Sequence, residues 1–291
     1  MTAGSSFTQK TLQANLTLVG GGTFDGKNNT KNVTGLRMEA EIEKNGHPSK
    51  NSLKLKIYGM LKNDMDSLTT IPSRANKPLQ VHHNLIQLLA GDEGSMVKVF
   101  EGEITEAFVS YQSPPNMYFQ LDAVAGFYPS IAPVAPKSFK GGVAVSTIMK
   151  TLADQMGYSF QDAGVTTRLK NPYFSGTAMQ QASSVAAAAN IEFGVDDGVL
   201  FIAPRGSARA GLAPLISPET GLKEYPVFDK KGLRFSCLFN PGLQLGGLVN
   251  VQSAIPVACG TWRINGLKHS LAALSPGGKW HSSVEASWTG S

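Results

Sequence analysis

The sequence is short of several things that would each direct attention to a particular chemistry. Charged residues make up only 16% of its 291 positions, and there are two cysteines and three tryptophans. No apolar run approaches the ~20 residues that span a bilayer as a helix. The opening "MTAGSSFTQK" lacks the charged and apolar regions of a signal peptide, so the chain reads as made in the cytoplasm. That expectation leaves the Asn-x-Thr sequons at Asn15, Asn28 and Asn32 unused and Cys237 and Cys259 as thiols. The two cysteines form no CxxC and match no zinc or redox spacing. The net charge of +5 is not gathered into a basic stripe: the densest stretch is Lys54 and Lys56, alternating with leucines. A nucleic-acid footprint needs such a stripe. "VGGG" and "KGG" are the glycine clusters, and neither completes GxxxxGKS or GxGxxG, so nucleotide binding is unsupported.

What is present is glycine, proline and two-residue periodicity. The 31 glycines and 16 prolines point to many turns. In "LRMEAEIEK", Leu36, Met38, Ala40 and Ile42 alternate with Arg37, Glu39, Glu41 and Glu43. Strict alternation puts one face in a core and the other toward water or a polar partner. "SLKLKIYG" repeats the pattern with Leu53, Leu55 and Ile57 against Lys54 and Lys56, and "NGHPSKN" between them suits a hairpin connection. A short helical turn is predicted at "KNDMDSL", then strands in "NLIQLLA", "MVKVFEGEITEAFVSY" and "MYFQLDAVAG". At least five such strands with one polar face each predict a barrel or sandwich.

Past the Pro-rich "YPSIAPVAPKSFKGG" the period changes. Val145, Ile148, Met149, Leu152, Ala153 and Met156 form one stripe of an amphipathic helix, with Gly157 placed to end it. A second helix is predicted over "SGTAMQQASSVAAAAN", capped by Ser175 or Thr177. "IEFGVDDGVLFIAP" then reads as a hairpin turning at Asp196–Asp197–Gly198. From "RGSARAGLAP" onward the period returns to two, through "LRFSCLFNPG", "GLVNVQS", "TWRINGLKHS" and "KWHSSVEASW". The expected fold is mainly β: a β-domain over 1–136, a small α/β insert over 137–205, and a second antiparallel β-domain over 206–291.

The sharpest candidates for chemistry lie in the last hairpin. His281, Ser283 and Glu285 share the polar face of the final strand, opposite Trp280, Val284 and Trp288. Such residues stand ~7 Å apart per step, too far for a hydrogen-bonded relay. His269 could face His281 across the hairpin, but two histidines lack the further ligands zinc requires. His82 and His83 are adjacent, so in a strand they point to opposite faces. Cys237 falls on an apolar face, the Asp-Asp-Gly turn accounts for Asp196 and Asp197, and Met149, Met156 and Met179 have core spacing. The reading assigns no catalytic, cofactor-binding or metal residue, and expects no enzyme and no cofactor.

"GLRFSCLFNPGLQLGGLVNVQS" followed by "WRINGLKHSLAALSPGGKWHSSVEA" resembles the C-terminal region of baseplate hub proteins of contractile-tailed bacteriophages, the late control D-like family. Leu238, Asn240, Pro241, Gly246 or Gly247, Val249, Val251, His269, Gly278 and Trp280 fill the family's places. "LKLKIYGMLKNDMDSL", "VFEGEITEAFVSY" and "VSTIMKTLADQMGYSF" resemble its earlier strands and middle helix, while "LLAGDEGSM" departs from the glycine-aromatic pair usual there. The resemblance implies a homotrimeric structural virion protein with two tail-tube-like β-barrels per chain. Three chains would form a ring that adapts the sixfold tail tube to the threefold spike and lines the DNA-ejection channel. The implied partners are the tail tube protein, the spike or tip protein, other baseplate proteins and the tape measure protein. DNA is passing cargo, and assembly takes place in the bacterial host cytoplasm. Two other function classes stand beside it: a tail-associated peptidoglycan hydrolase resting on the face around His281, and a carbohydrate-binding β-protein resting on Trp262 or Trp288.

Overall fold

Alternating side chains determine which surface each strand buries, and the computed structural model follows that alternation closely. It describes residues 9–46, 48–70, 84–111, 116–229 and 232–289. In Met38–Asn45 the buried row is Met38, Ala40, Ile42 and, unexpectedly, Lys44; Glu41 and Glu43 face outward. Ser52–Tyr58 buries Leu53, Leu55 and Ile57, and Tyr118–Val124 buries Phe119, Leu121 and Ala123. Met117, in line with that row by alternation, precedes the strand and is exposed.

The chain is mainly β and divides into two units. The first comprises Met1–Glu41, Leu53–Ala123 and Ser270–Lys279. Its strands run in the order Thr30–Val33, Lys10–Thr17, Leu85–Asp92, Ser95–Ser110, Tyr118–Val124, Ser52–Tyr58 and Met38–Asn45. Lys10–Thr17 pairs antiparallel with Leu85–Asp92, and a Lys10–Asp92 ion pair of 2.6 Å closes the end of that register. The ladder between Leu85–Asp92 and Ser95–Ser110 shifts register at Leu88/Leu89, a local irregularity of the bulge kind. The predicted helical turn is Lys62–Leu68.

The second unit comprises Ile42–Ser52, Val124–His269 and Trp280–Ser291. Its larger sheet has the order Val227–Asp229, Gly232–Leu238, Trp280–Trp288 and Gly260–Ala273, with Leu248–Val251 also paired to the last. Phe235, Val249, Trp262, Ile264 and Val284 fill its core. A second core lies under two helices. Val145–Met156 buries the predicted stripe as far as Ala153, with Met156 half-buried against the same core, and ends on Gly157, whose φ of 77° is the left-handed C-cap geometry. Ala178–Ala189 starts with a full capping box between Thr177 and Gln180, which selects Thr177 over Ser175. Both pack on a three-stranded sheet in which Val199–Pro204 lies between Ser159–Asp162 and Ile191–Asp196. The hairpin turns on Asp197 and Gly198, both at positive φ, as a tight two-residue turn demands. The sheets are extended and antiparallel in the main, and no closed barrel is found among the described residues.

Candidate functional site

The terminal hairpin does not bring its histidines together. His269 turns inward and is 2% exposed, with Nδ1 2.8 Å from the Ser282 hydroxyl. The Phe239 ring meets it edge-on at 5.3 Å, and Trp280 meets Phe239 at 5.6 Å. Burial, reinforced by the nearby Lys44 ammonium, pushes the His269 pKa down to about 3, so the imidazole is neutral at physiological pH. His281 lies on the other face, opposite Leu238 in the register. Its strand neighbours are engaged across the sheet: Ser283 is 3.3 Å from the Ser236 hydroxyl, and Glu285 approaches Arg234 at 4.0 Å. Among the described residues no group of three or more His, Cys, Asp or Glu gathers as a metal site; His82 and His83 lie outside them.

The polar centre that sequence reading missed is a buried ion cluster in the second unit. Lys44 Nζ lies 2.8 Å from Asp196 Oδ1 and 2.5 Å from Asp197 Oδ2. Arg209 Nη1 lies 3.0 Å from Asp196 Oδ2 and its guanidinium stacks over Phe201. The Asn51 amide donates to Asp196 Oδ1 at 3.1 Å and to the Val195 carbonyl at 3.0 Å. Lys44, Asn51, Asp196 and Arg209 are all buried. Burial alone would drive Lys44 toward neutrality, but the two carboxylates outweigh it and hold its pKa above the ordinary lysine value. Burial likewise opposes the Asp196 charge, and Lys44 followed by Arg209 reverses that, holding its pKa below the usual carboxylate value. The turn explains Asp197 but not Asp196, which is the cluster's centre. A signal was available: Lys44 continues the inward row Met38, Ala40, Ile42, and a buried lysine requires a partner.

Each unit also presents a groove on a polar sheet face. In the first, Glu39, Glu41, Lys54, Lys56 and Gln120 border an open volume of about 530 Å³. Arg37 pairs with Glu39 at 2.7 Å and lies over the Tyr58 ring, and Lys56 lies over Tyr118, so much of that charge is held locally. In the second, Glu43, Arg234, Ser236, Lys268 and Glu285 border about 570 Å³, with Lys268 and Glu43 paired at 2.9 Å. Opposite charges are interspersed in both, so neither makes a single-sign field. Of the two tryptophans considered for sugar binding, Trp262 is core, donating its indole N–H to the Ala258 carbonyl. Trp288 is 53% exposed and meets Trp262 edge-on at 5.0 Å.

Comparison with known proteins bears on what such a scaffold is. A 43 kDa tail protein of prophage MuSo2 from Shewanella oneidensis superposes with a TM-score of 0.62 at 12% identity, covering 97% of each chain. A tail protein from Neisseria meningitidis MC58 gives 0.61 at 11% identity, over 94% of this chain and 96% of that one. The Escherichia coli c3393 protein, a component of the type VI secretion system described as structurally similar to T4 tail proteins gp27 and gp5, gives 0.54 at 11% identity, over 86% and 73%. At these identities the likeness is one of fold. No curated protein matches in sequence. The family model described as baseplate hub gp41 matches residues 14–276, and on that match the chain belongs to the baseplate hub gp41 family, structural proteins of the bacteriophage tail baseplate.

Proposed function

We propose that the protein is the central, non-enzymatic hub of a contractile tail baseplate, acting as a homotrimer. Residues 1–136 and 206–291 are the two tube-like barrel modules of each chain, and 137–205 is the insert between them. Three copies give six such modules, enough to meet a sixfold tube on one side and a threefold spike on the other. The observation that carries this reading is the family match over residues 14–276, running through both β-rich units. Strand faces with interspersed charge suit a passage for DNA, since they neither hold nor repel a polyanion strongly. The partners are the tube protein, the spike or tip protein, other baseplate proteins and the tape measure protein. A related phage-derived injection device would use the same trimer.

Light scattering on the chain mixed with its spike partner tests the reading. The expected particle contains three copies of the 30.9 kDa chain, and an image of the assembled tail shows a threefold ring on its axis. A chain that stays monomeric with the spike present, or that lies off the axis, overturns it.

A further inference from the structure

Two short ladders in the second unit run end to end. Lys137–Ser138 pairs antiparallel with Tyr173–Phe174, and Gly142–Ala144 with Arg168–Lys170. Between them the Phe139 N–H donates to the Pro172 carbonyl at 3.1 Å, and the Asn171 N–H to the Gly141 carbonyl at 2.8 Å. The two ladders therefore make one ribbon, with Lys140 as an extra residue on one strand. Phe139, Val143 and Leu169 pack against the core beneath the two helices. Lys140, Arg168, Lys170 and Tyr173 are exposed, Tyr173 by 65%. Neither segment, 137–144 or 167–174, contains a carboxylate. The cations gather only on folding, because the two halves of the patch are remote in the chain. They are also held in place. Arg168 Nη2 donates to the Gly142 carbonyl at 2.5 Å, and the Gly141 N–H donates to Asn171 Oδ1 at 2.6 Å. A fixed platform loses less freedom on binding than a loose one.

We propose that this ribbon docks an acidic segment of a partner protein. Such docking does not depend on the chain being a hub. Elsewhere in the same unit Lys44, Arg209, Arg234, Arg263 and Lys268 each meet a carboxylate. Among the described residues none of the ribbon's cations, Lys137, Lys140, Arg168 and Lys170, does so. The nearby Asp162 carboxylate is turned to the Gly164 and Val165 N–H groups. An anionic partner supplies the complementary charge. Magnitude decides which anion. A nucleic-acid footprint of ordinary strength takes about 6–10 phosphate contacts, more than these cations offer. Attachment to a membrane surface calls for an apolar face as well as cations, and the ribbon's aliphatic side chains are turned to the core. Arginine and tyrosine are the residues that protein interfaces favour, and Arg168 and Tyr173 present both.

Anisotropy of a labelled glutamate-rich peptide, titrated with the full-length protein at low ionic strength, tests this. Binding is expected, and Lys140→Glu with Lys170→Glu should weaken it about tenfold or more. Lys27→Glu with Lys223→Glu, an equal charge change on exposed lysines elsewhere, should leave it unchanged. No binding, or equal weakening by both pairs, overturns the proposal. So does a DNA duplex or an anionic lipid vesicle that binds through Lys140 and Lys170 more tightly than the peptide. Should the variant not fold, lysine acetylation of the unaltered chain is compared with and without the peptide. Protection of Lys140 and Lys170 but not of Lys27 supports the docking; any other pattern overturns it.

Discussion

His269 and Ser282 face each other inside the second unit, ring nitrogen to hydroxyl at 2.8 Å, with exposures of 2% and 0%. A histidine so enclosed is a structural side chain whose cost appears only when it must take up a proton. Its folded pKa lies far below the ordinary value, so the unfolded chain binds a proton that the folded chain refuses.

Stability should therefore fall as the pH drops. The contribution is intact above pH ~6.5, the unfolded histidine value, and is lost progressively down to about 3. Between pH 7 and pH 5 the loss is about 2 kcal/mol from this group. Guanidinium midpoints at the two pH values measure it, and His269→Gln should remove most of the difference.

The ion cluster answers to a different pH window. Asp196 has a folded pKa below its unfolded value, so its contribution is present above pH ~4 and is lost only as the pH falls through the lowered folded value. At neutral pH, Asp196→Asn removes the buried carboxylate that Lys44 and Arg209 share, leaving Lys44 to Asp197, and should cost about 3–5 kcal/mol. Replacing Lys44 by Met and Asp196 by Leu together should cost less than Asp196→Asn alone. Chemical denaturation of the three proteins decides between these outcomes.

Burial pushes the Cys237 thiol up to about 12 and leaves it fully enclosed beneath the second unit's sheet. In the native protein at pH 8 it should resist iodoacetamide and react only after denaturation. Peptide mass mapping with and without guanidinium reads this directly.

The face carrying His281, Ser283 and Glu285 should be catalytically silent, since Ser283 and Glu285 each engage a neighbouring strand. Purified protein and its His281→Ala variant should leave the turbidity of a peptidoglycan suspension equally unchanged. Clearing by the unaltered protein that vanishes in the variant would reinstate a hydrolase.

Much of this architecture was legible because it is local. The rows Met38–Ala40–Ile42 and Leu53–Leu55–Ile57, the helical stripe from Val145, the stop at Gly157 and the turn at Asp197–Gly198 depend on neighbours within a few positions. The inward place of Cys237 followed from the same counting. The Asp-Asp-Gly turn accounts for Asp197 but not for the role of Asp196. The turn uses its backbone, while its side chain reaches Lys44, far away in sequence. That His269 lies in a strand is legible from the alternation, but whether it faces His281 is not, because register across that hairpin cannot be counted from one strand alone.

The sequence by itself determined where strands and helices form and which side of each is apolar, since backbone sterics and burial act over two to four residues. Only the tertiary structure decided which buried polar groups neutralise one another, and that one hairpin would be divided between two units. Those outcomes depend on distances between residues remote in the chain. A lysine on an inward row demands a partner, but only the folded chain reveals that the partner is Asp196.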